Sequence, residues 1–363
     1  MDNKNFRIQI MNHIAERGIA ALVERGCTVG KDVPDPQGIL LRSADLHDYP
    51  FGDNLLVIAR SGAGTNNIPL DLCCDRGIVV FNSPGANAEA VKELIICSMV
   101  MSSRDVLGSI DWVKSLKDKG DEIPALVEKG KAAFSGPELT GKTLGVIGLG
   151  AIGSLIANIA VKLGMNVIGF DPYLSVDAAW RLSRSVQHAV DVDEIFIKSD
   201  YISVNVPFTE STKHMIDAAA FRKMKQGVRI INLARGELVN DEALIDAIDV
   251  GKVARYVTDF PNDRLVGIAN VVAMPHLGAS TPESEEKCAV MAAREHRSRA
   301  WSNKSRPLLE MDVTSGSSPY APFGSVSTSS GPPRITSRNC SCPRSASIHS
   351  SGMPLGSPSS SNP

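Results

Sequence analysis

Between Lys142 and Asp171 the chain runs through a strand, a glycine-rich turn, a helix and a second strand, and this unit constrains the fold most. The first strand, residues 143–147, is apolar and contains β-branched residues, as is typical of a buried parallel strand. A helix with one apolar face follows the turn and ends at Gly164. The second strand ends at Asp171, roughly 20 residues after the first glycine. This order predicts a strand–helix–strand unit of a parallel sheet.

Each part of the turn has a role in binding a dinucleotide. Gly148 permits the tight turn, Gly150 lets the backbone approach a pyrophosphate, and Gly153 lets helix and strand pack closely. The N-terminus of the helix offers unpaired N–H groups to the phosphates. An acid at the end of the second strand suits the ribose hydroxyls. A glycine turn in an ordinary α/β domain would not need all of these parts in order, so we predict a dinucleotide site that includes Gly148, Gly150, Ala151, Ile152, Gly153 and Asp171.

Composition limits the classes of protein to consider. The chain has 363 residues, 43% of them hydrophobic, and a net charge of −2, which suits a two-domain globular protein and disfavours nucleic-acid binding. No apolar run is long enough to span a bilayer, and the polar start does not resemble a secretory signal. The seven cysteines lack metal-ligand spacing, so we expect reduced thiols, no metal and a cytoplasmic location.

Two earlier strands, residues 38–41 and 55–59, are each followed by an arginine. Ligands of open α/β sheets sit at the carboxyl ends of strands, so Arg42 and Arg60 indicate an anion site. Gly62, after Ser61, would bring backbone N–H groups close to such an anion. The alternative is that both arginines are solvated surface residues.

Strands and helices alternate from residue 144 to 274, which predicts a parallel, doubly wound α/β sheet. Its later strands lead to Pro207, Ala234-Arg235, Asp259 and His276. From about residue 296 serine, proline and glycine dominate, and such a composition predicts a disordered tail.

Three motifs together resemble the D-isomer-specific 2-hydroxyacid dehydrogenases: the glycine turn, the segment Asn232–Glu237 and the segment Pro275–Thr281. The pairing of residues 60–64 with residues 87–93 is similar to the phosphoglycerate branch of that family. The resemblance implies two Rossmann-like domains, NAD as cofactor, and a homodimer or homotetramer to which the 110–140 region contributes. It divides the chain into a discontinuous substrate domain (1–93 with a return helix at 284–296), an NAD-binding domain (94–283) and a tail (297–363).

The resemblance also implies the catalytic roles. His276 would take the hydroxyl proton, a task that suits imidazole because its ordinary pKa lies near working pH. Arg235 would hold the substrate carboxylate through its planar, multiply donating guanidinium. Asp259 would accept a hydrogen bond from the nicotinamide carboxamide, and Pro207, Ala234 and Ala279 would complete the cofactor site.

In one place the sequence departs from the family. Members usually place a glutamate between the arginine and the histidine, where it orients the imidazole. Arg264 stands about where that glutamate often falls, and Asp263 precedes it. We therefore take Asp263 as the candidate for this role, with a solvated loop acid as the open alternative.

For the substrate, the resemblance implies D-3-phosphoglycerate, since Arg42 and Arg60 could share a dianion. Two alternatives are another 2-hydroxy acid, such as glycerate or lactate, and a corepressor-like protein that binds NAD without catalysis.

The abrupt change of composition inside the expected return helix suggests a reading-frame shift near Glu295. We would then expect a shortened helix and no serine-sensing regulatory domain.

Overall fold

The computed structural model describes residues 6–298, with side chains through residue 295. Residues 6–81 form a five-stranded sheet in the order β2-β1-β3-β4-β5, with every strand parallel to its neighbours. The strands are β1 Phe6–Met11, β2 Cys27–Gly30, β3 Gly38–Leu41, β4 Val57–Arg60 and β5 Val79–Phe81. Helices α1 (Glu16–Val23) and α2 (Leu70–Asp75) connect them. Strand β3 is buried at all four positions, as a central parallel strand requires.

A second sheet of seven parallel strands follows, in the order β12-β11-β10-β9-β6-β7-β8. Its strands are β6 Thr143–Ile147, β7 Asn166–Phe170, β8 Val186–His188, β9 Tyr201–Val204, β10 Val228–Asn232, β11 Val253–Thr258 and β12 Val271–Ala273. Strand order reverses at β6, because the chain first builds β7 and β8 on one side and then β9 to β12 on the other. Open sheets bind ligands at such a switch point, beyond the carboxyl ends of the strands.

Nine helices of the described chain accompany the second sheet or lead to and from it. They are α3 Ala88–Ser103, α4 Val106–Ser115, α5 Ile123–Gly130, α6 Ala151–Lys162, α7 Val176–Trp180, α8 Val192–Lys198, α9 Ala218–Lys223, α10 Asp241–Asp249 and α11 Pro282–Ser298. Helix α3 packs on α6, β10 and β11, so it belongs to the core of the second sheet. No helix in residues 6–298 is long and apolar enough to cross a membrane.

Helix α11 returns to the first sheet. Its alanines 289, 292 and 293 are fully buried in one core with Ile8, Leu22 and Leu40. Gly18 of α1 permits the close crossing, since an added Cβ there would lie 2.6 Å from the Cβ of Ala289. The chain thus leaves the first sheet after β5 and comes back to it at α11, as a discontinuous domain would.

The predicted fold class, α/β with parallel doubly wound sheets, is confirmed. The domain boundaries at residues 93 and 283 stay predictions. The predicted disordered tail, residues 297–363, lies outside the described residues apart from the backbone of 297 and 298, and the proposed frame shift falls at the edge of the described side chains.

Candidate active site

The carboxyl edge of the seven-stranded sheet gathers every residue predicted to bind the cofactor. Each lies in a segment that directly follows a strand, and parallel strands end at the same edge of a sheet. The residues are Gly148, Gly150, Ala151, Ile152 and Gly153 after β6, Asp171 after β7, Pro207 after β9, Ala234 after β10, Asp259 after β11, and Ala279 after β12.

The glycine turn has the geometry that its sequence requires. Gly148 has a φ of 87°, in the left-handed region that favours glycine, and its N–H donates to the Phe170 carbonyl at 2.8 Å. A Cβ on Gly153 would lie 1.8 Å from the carbonyl oxygen of Gly148, so only glycine lets α6 approach β6 this closely. The N-terminus of α6 is thereby held against the turn, where its free N–H groups can receive phosphate.

Two backbone N–H groups hold the carboxylate of Asp171 beside the glycine turn. Its Oδ2 accepts from the Leu149 N–H at 2.8 Å, and its Oδ1 accepts from the Tyr173 N–H at 2.9 Å. A carboxylate has about four acceptor positions, so both oxygens keep capacity for the two ribose hydroxyls. Its fixed negative charge would oppose a 2′-phosphate.

Three adjacent strands, β10, β11 and β12, bring both Arg235 and His276 into contact with Phe260. The guanidinium carbon of Arg235 lies 5.6 Å from the centre of the Phe260 ring. The imidazole of His276 meets the same ring edge-on, with centroids 4.6 Å apart and planes at 86°. Phe260 therefore fixes the position of both groups. Sequence reasoning gave it no role, although its place directly after Asp259 at a strand end was a usable signal.

The buried side-chain amide of Asn232 supports the turn that carries Arg235. Asn232 is fully buried, and its Nδ2 donates to the Arg235 carbonyl at 2.8 Å and to the Tyr256 hydroxyl at 3.1 Å. Its Oδ1 accepts from the Ala234 N–H at 3.2 Å. Burial raises the pKa of Tyr256 to about 12, so this hydroxyl stays neutral at working pH. Arg235 thus stands on a rigid, uncharged support.

Asp259 is the buried acid of the site. It is 1% exposed, and its Oδ2 accepts from the Gly278 N–H at 3.4 Å. Burial raises the pKa of Asp259, while the charges of His276 and Arg235 oppose that shift. Its Oδ1 is buried and has no partner among the described residues. A buried acceptor of this kind needs a donor, and a carboxamide N–H of nicotinamide would supply one. The glycine turn, Asp171 and Asp259 therefore fit NAD.

The structure does not bring Asp263 to His276. Asp263 lies exposed in the loop after β11 and makes no hydrogen bond or ion pair with His276. Arg264, beside it, donates to Glu242 Oε1 on α10 at 2.8 Å, so the loop is tied to that helix. The charge of His276 acts instead on Asp259, where it opposes the rise in pKa caused by burial.

The substrate residues predicted from the first sheet meet the second sheet at Arg235. The Nε of Arg60 donates to the Arg42 carbonyl at 3.1 Å, and its Nη1 donates to the Gly64 carbonyl. A Cβ on Gly64 would lie 3.0 Å from Nη1 of Arg60 and 2.8 Å from Nη2 of Arg235, so both guanidinium groups flank this one glycine.

These three arginines, 42, 60 and 235, form what we call the arginine cluster. Burial, with the charges of Arg235 and Arg42, lowers the pKa of Arg60. Ser61, which is buried, and Gly62 continue the chain beside Arg60. The structure thus brings one of the four predicted substrate residues, Arg60, close to Arg235. Sequence reasoning missed Glu285 of α11, which forms an ion pair with Arg42 at 2.6 Å.

Comparison with known proteins identifies the class. Residues 98–278 match the family model described as D-isomer specific 2-hydroxyacid dehydrogenase, NAD binding domain. The chain is 38% identical over 272 residues to the hydroxypyruvate reductase of Thermotoga maritima, covering 72% of this chain and 83% of that protein. It is 33% identical over 300 residues to the D-3-phosphoglycerate dehydrogenase of Archaeoglobus fulgidus, covering 79% of this chain and 54% of that protein.

Solved structures agree with this class. The NAD-bound 3-phosphoglycerate dehydrogenase of Entamoeba histolytica superposes with a TM-score of 0.63 at 25% identity, over 80% of this chain and 94% of that one. The holo D-mandelate dehydrogenase of Rhodotorula graminis superposes with a TM-score of 0.68 at 24% identity, over 80% of this chain and 93% of that one. This similarity shows the shared fold.

The chain belongs to the D-isomer-specific 2-hydroxyacid dehydrogenase family. It is accordingly an NAD-dependent oxidoreductase of that class, and its cofactor is NAD. The chain spans about half the length of the curated phosphoglycerate dehydrogenases that it matches, for example 54% and 47% of two of them.

Proposed function

We propose that the protein oxidises D-3-phosphoglycerate to 3-phosphohydroxypyruvate with NAD as the hydride acceptor. The observation that supports this proposal is the arginine cluster, in which the guanidinium groups of Arg60 and Arg235 flank Gly64 and the charge of Arg42 acts on Arg60. Like charges repel in a partly buried site, so such a cluster favours a ligand with more than one negative charge. A phosphorylated 2-hydroxy acid provides a carboxylate and a phosphate.

His276 serves as the base in this proposal. The Phe260 ring packs edge-on against the imidazole of His276, and His276 is exposed. The negative charge of Asp259 stabilises the imidazolium that forms when His276 takes the hydroxyl proton. In the reverse direction His276 returns this proton to the keto oxygen.

Arg235 holds the substrate carboxylate and polarises the oxygen on the reacting carbon. Its fork of donors suits this task, and contacts from Asn232 and Phe260 fix its position. When NAD is bound, its nicotinamide ring supplies the acceptor for the hydride that leaves the substrate carbon.

A second candidate is the reduction of hydroxypyruvate, the reaction named for the Thermotoga maritima relative. The observation that favours it is the Arg42–Glu285 ion pair, which neutralises one of the three arginines. A site with fewer uncompensated positive charges would accept a substrate without phosphate more readily.

A substrate panel separates these candidates. The rate of NADH oxidation is measured with 3-phosphohydroxypyruvate, hydroxypyruvate, glyoxylate and pyruvate at equal ionic strength, and kcat/KM is compared. We expect the phosphorylated keto acid to exceed the others by at least about tenfold, or 1.4 kcal/mol. Equal kcat/KM values for keto acids with and without a phosphate group would favour hydroxypyruvate as the substrate. If NADH binds but no keto acid is reduced, the NAD-sensing, corepressor-like alternative would replace both.

We further propose a homodimer in the cytoplasm that serves the first step of serine biosynthesis. Helices α4 and α5 contain no buried residue, although α4 carries four large apolar side chains, Val106, Leu107, Ile110 and Val113. An apolar face of this kind suits contact with a second copy of the chain.

A further inference from the structure

We infer that Glu285 determines how strongly the enzyme prefers phosphorylated over non-phosphorylated substrates. It would do so by competing with the substrate phosphate for Arg42. This inference rests on the proposed function, because it concerns the same substrate site.

The position of Glu285 follows from how α11 begins. Helix α11 starts at Pro282, directly after the segment that carries His276, and the Thr281 hydroxyl accepts from the Ser284 N–H at 3.1 Å. The Glu285 N–H donates to the Thr281 carbonyl at 3.0 Å, so the first turn is well formed. A carboxylate in the first turn of a helix is favoured by the helix dipole. The fold therefore places the negative charge of Glu285, at the start of α11, beside Arg42 at the end of β3.

The carboxylate of Glu285 contacts the arginine cluster directly. Its Oε1 lies 2.6 Å from Nη1 of Arg42, and its Oε2 lies 4.0 Å from Nδ1 of His13, which is largely exposed. The side chains of Glu285 and Arg42 are 27% and 32% exposed, so solvent screens this pair only in part. Arg42 is coupled in turn to Arg60, whose Nε donates to its carbonyl at 3.1 Å.

Within residues 6–294, Glu285 is the only carboxylate that lies within 4 Å of any guanidinium group of the cluster. The cluster carries three positive charges, and Glu285 compensates one of them. A 2-hydroxy acid without phosphate brings one negative charge, whereas a phosphate adds about −1.5 to −2 more at neutral pH. Glu285 therefore opposes the phosphorylated ligand more strongly than the ligand without phosphate. It also occupies a donor that the phosphate would otherwise use.

The decisive variant is Glu285→Gln, which removes the charge and keeps the shape. We expect the ratio of kcat/KM for 3-phosphohydroxypyruvate to that for hydroxypyruvate to rise by about tenfold, as for loss of one partly screened charge. Glu286→Gln is the matched control, because Glu286 is the next residue of α11 and pairs with Arg17 instead. Its ratio should equal that of the wild-type protein. An unchanged or lowered ratio in Glu285→Gln would overturn the inference.

Two further measurements separate charge from structure. Glu285→Asp keeps the charge, so its ratio should stay near the wild-type value, and a tenfold rise there would show that the ion pair acts only by holding α11 in place. Inorganic phosphate binding to the NAD-loaded protein, measured by calorimetry, should tighten about tenfold in Glu285→Gln. This binding test does not depend on turnover. If wild-type protein reduces no keto acid, the proposed function fails, while phosphate binding still decides the role of Glu285.

Discussion

At the scale of single residues, the proposed role of His276 in proton transfer predicts a specific kinetic loss. His276→Ala should lower kcat by roughly two to four orders of magnitude, because no other group replaces the base. NADH affinity, measured by fluorescence titration, should stay near the wild-type value. His188→Ala, at the exposed edge strand β8, is the control and should keep full activity. Near-normal turnover in His276→Ala would place the base elsewhere.

Asp259 illustrates a conflict between stability and function. Its pKa is raised by burial above the ordinary value of 3.8, so the folded state binds a proton more readily than the unfolded state. The free energy of unfolding should therefore fall as pH rises from the pKa of Asp259 in the unfolded chain to its pKa in the folded protein. Above the folded-state pKa this loss of stability should persist. Asp259→Asn removes this cost and should increase Tm at pH 7, whereas at pH 3 the two proteins should differ little.

The same substitution should reduce activity, because an amide cannot stabilise an imidazolium as a carboxylate does. We expect kcat/KM to fall by roughly tenfold to hundredfold. Thermal unfolding of the ligand-free protein and initial rates across pH measure the two effects on one sample. Asp53→Asn, which alters an exposed acid in the turn before β4, should change neither Tm nor activity. A lower Tm in Asp259→Asn at pH 7 would contradict the assigned charge state.

At the scale of elements, the β6–α6–β7 unit decides which cofactor is used. Asp171 is fixed by two backbone N–H groups, so its carboxylate cannot turn away from a 2′-phosphate. We expect kcat/KM with NADH to exceed that with NADPH by at least about tenfold, or 1.4 kcal/mol. Asp171→Asn should reduce this difference in kcat/KM between NADH and NADPH, mainly by changing KM. Equal use of both cofactors by the wild-type protein would show that Asp171 does not face the ribose.

Helices and strands could be predicted from the sequence where each one carries its own local signal. Helix α10, residues 241–249, has such signals at both ends, since the side chain of Asn240 caps its start and Gly251 follows its end. Strand β2 was missed, because its four residues, CTVG, alternate too weakly to indicate an edge strand. Helix α8 was missed for a similar reason, as seven residues give too short a window for a helical period.

The active site could be predicted only in part. Residues within family motifs, such as Arg235 and His276, were placed correctly at strand ends. The Arg42–Glu285 pair could not be predicted, because it joins positions 243 residues apart whose approach depends on α11 packing on the first sheet. Loop register explains the uncertainty at Asp263, since a loop has no periodicity that fixes which side chain points inward.

At the scale of the whole molecule, the segment from Val106 to Phe134 exposes an apolar face. It packs mainly on itself, with the rings of Trp112 and Phe134 5.2 Å apart and Gly130 lying against Trp112. Asp105 anchors it to the second sheet by capping α4 and pairing with Arg255 at 3.5 Å. This leaves the apolar side chains of α4 facing outward, with Leu107, Ile110 and Val113 each 45–47% exposed.

We therefore expect the protein to be a dimer whose interface includes α4. Ile110→Glu places a charge in the centre of this face, where an unpaired charge is costly to desolvate. It should weaken dimerisation by at least about a hundredfold, or 2.7 kcal/mol, measured by sedimentation equilibrium over a range of concentrations. Val250→Glu, which alters a residue 73% exposed at the end of α10, is the control and should leave the dimer intact. A monomeric wild-type protein, or an Ile110→Glu variant that dimerises as tightly as Val250→Glu, would show that this face has another use.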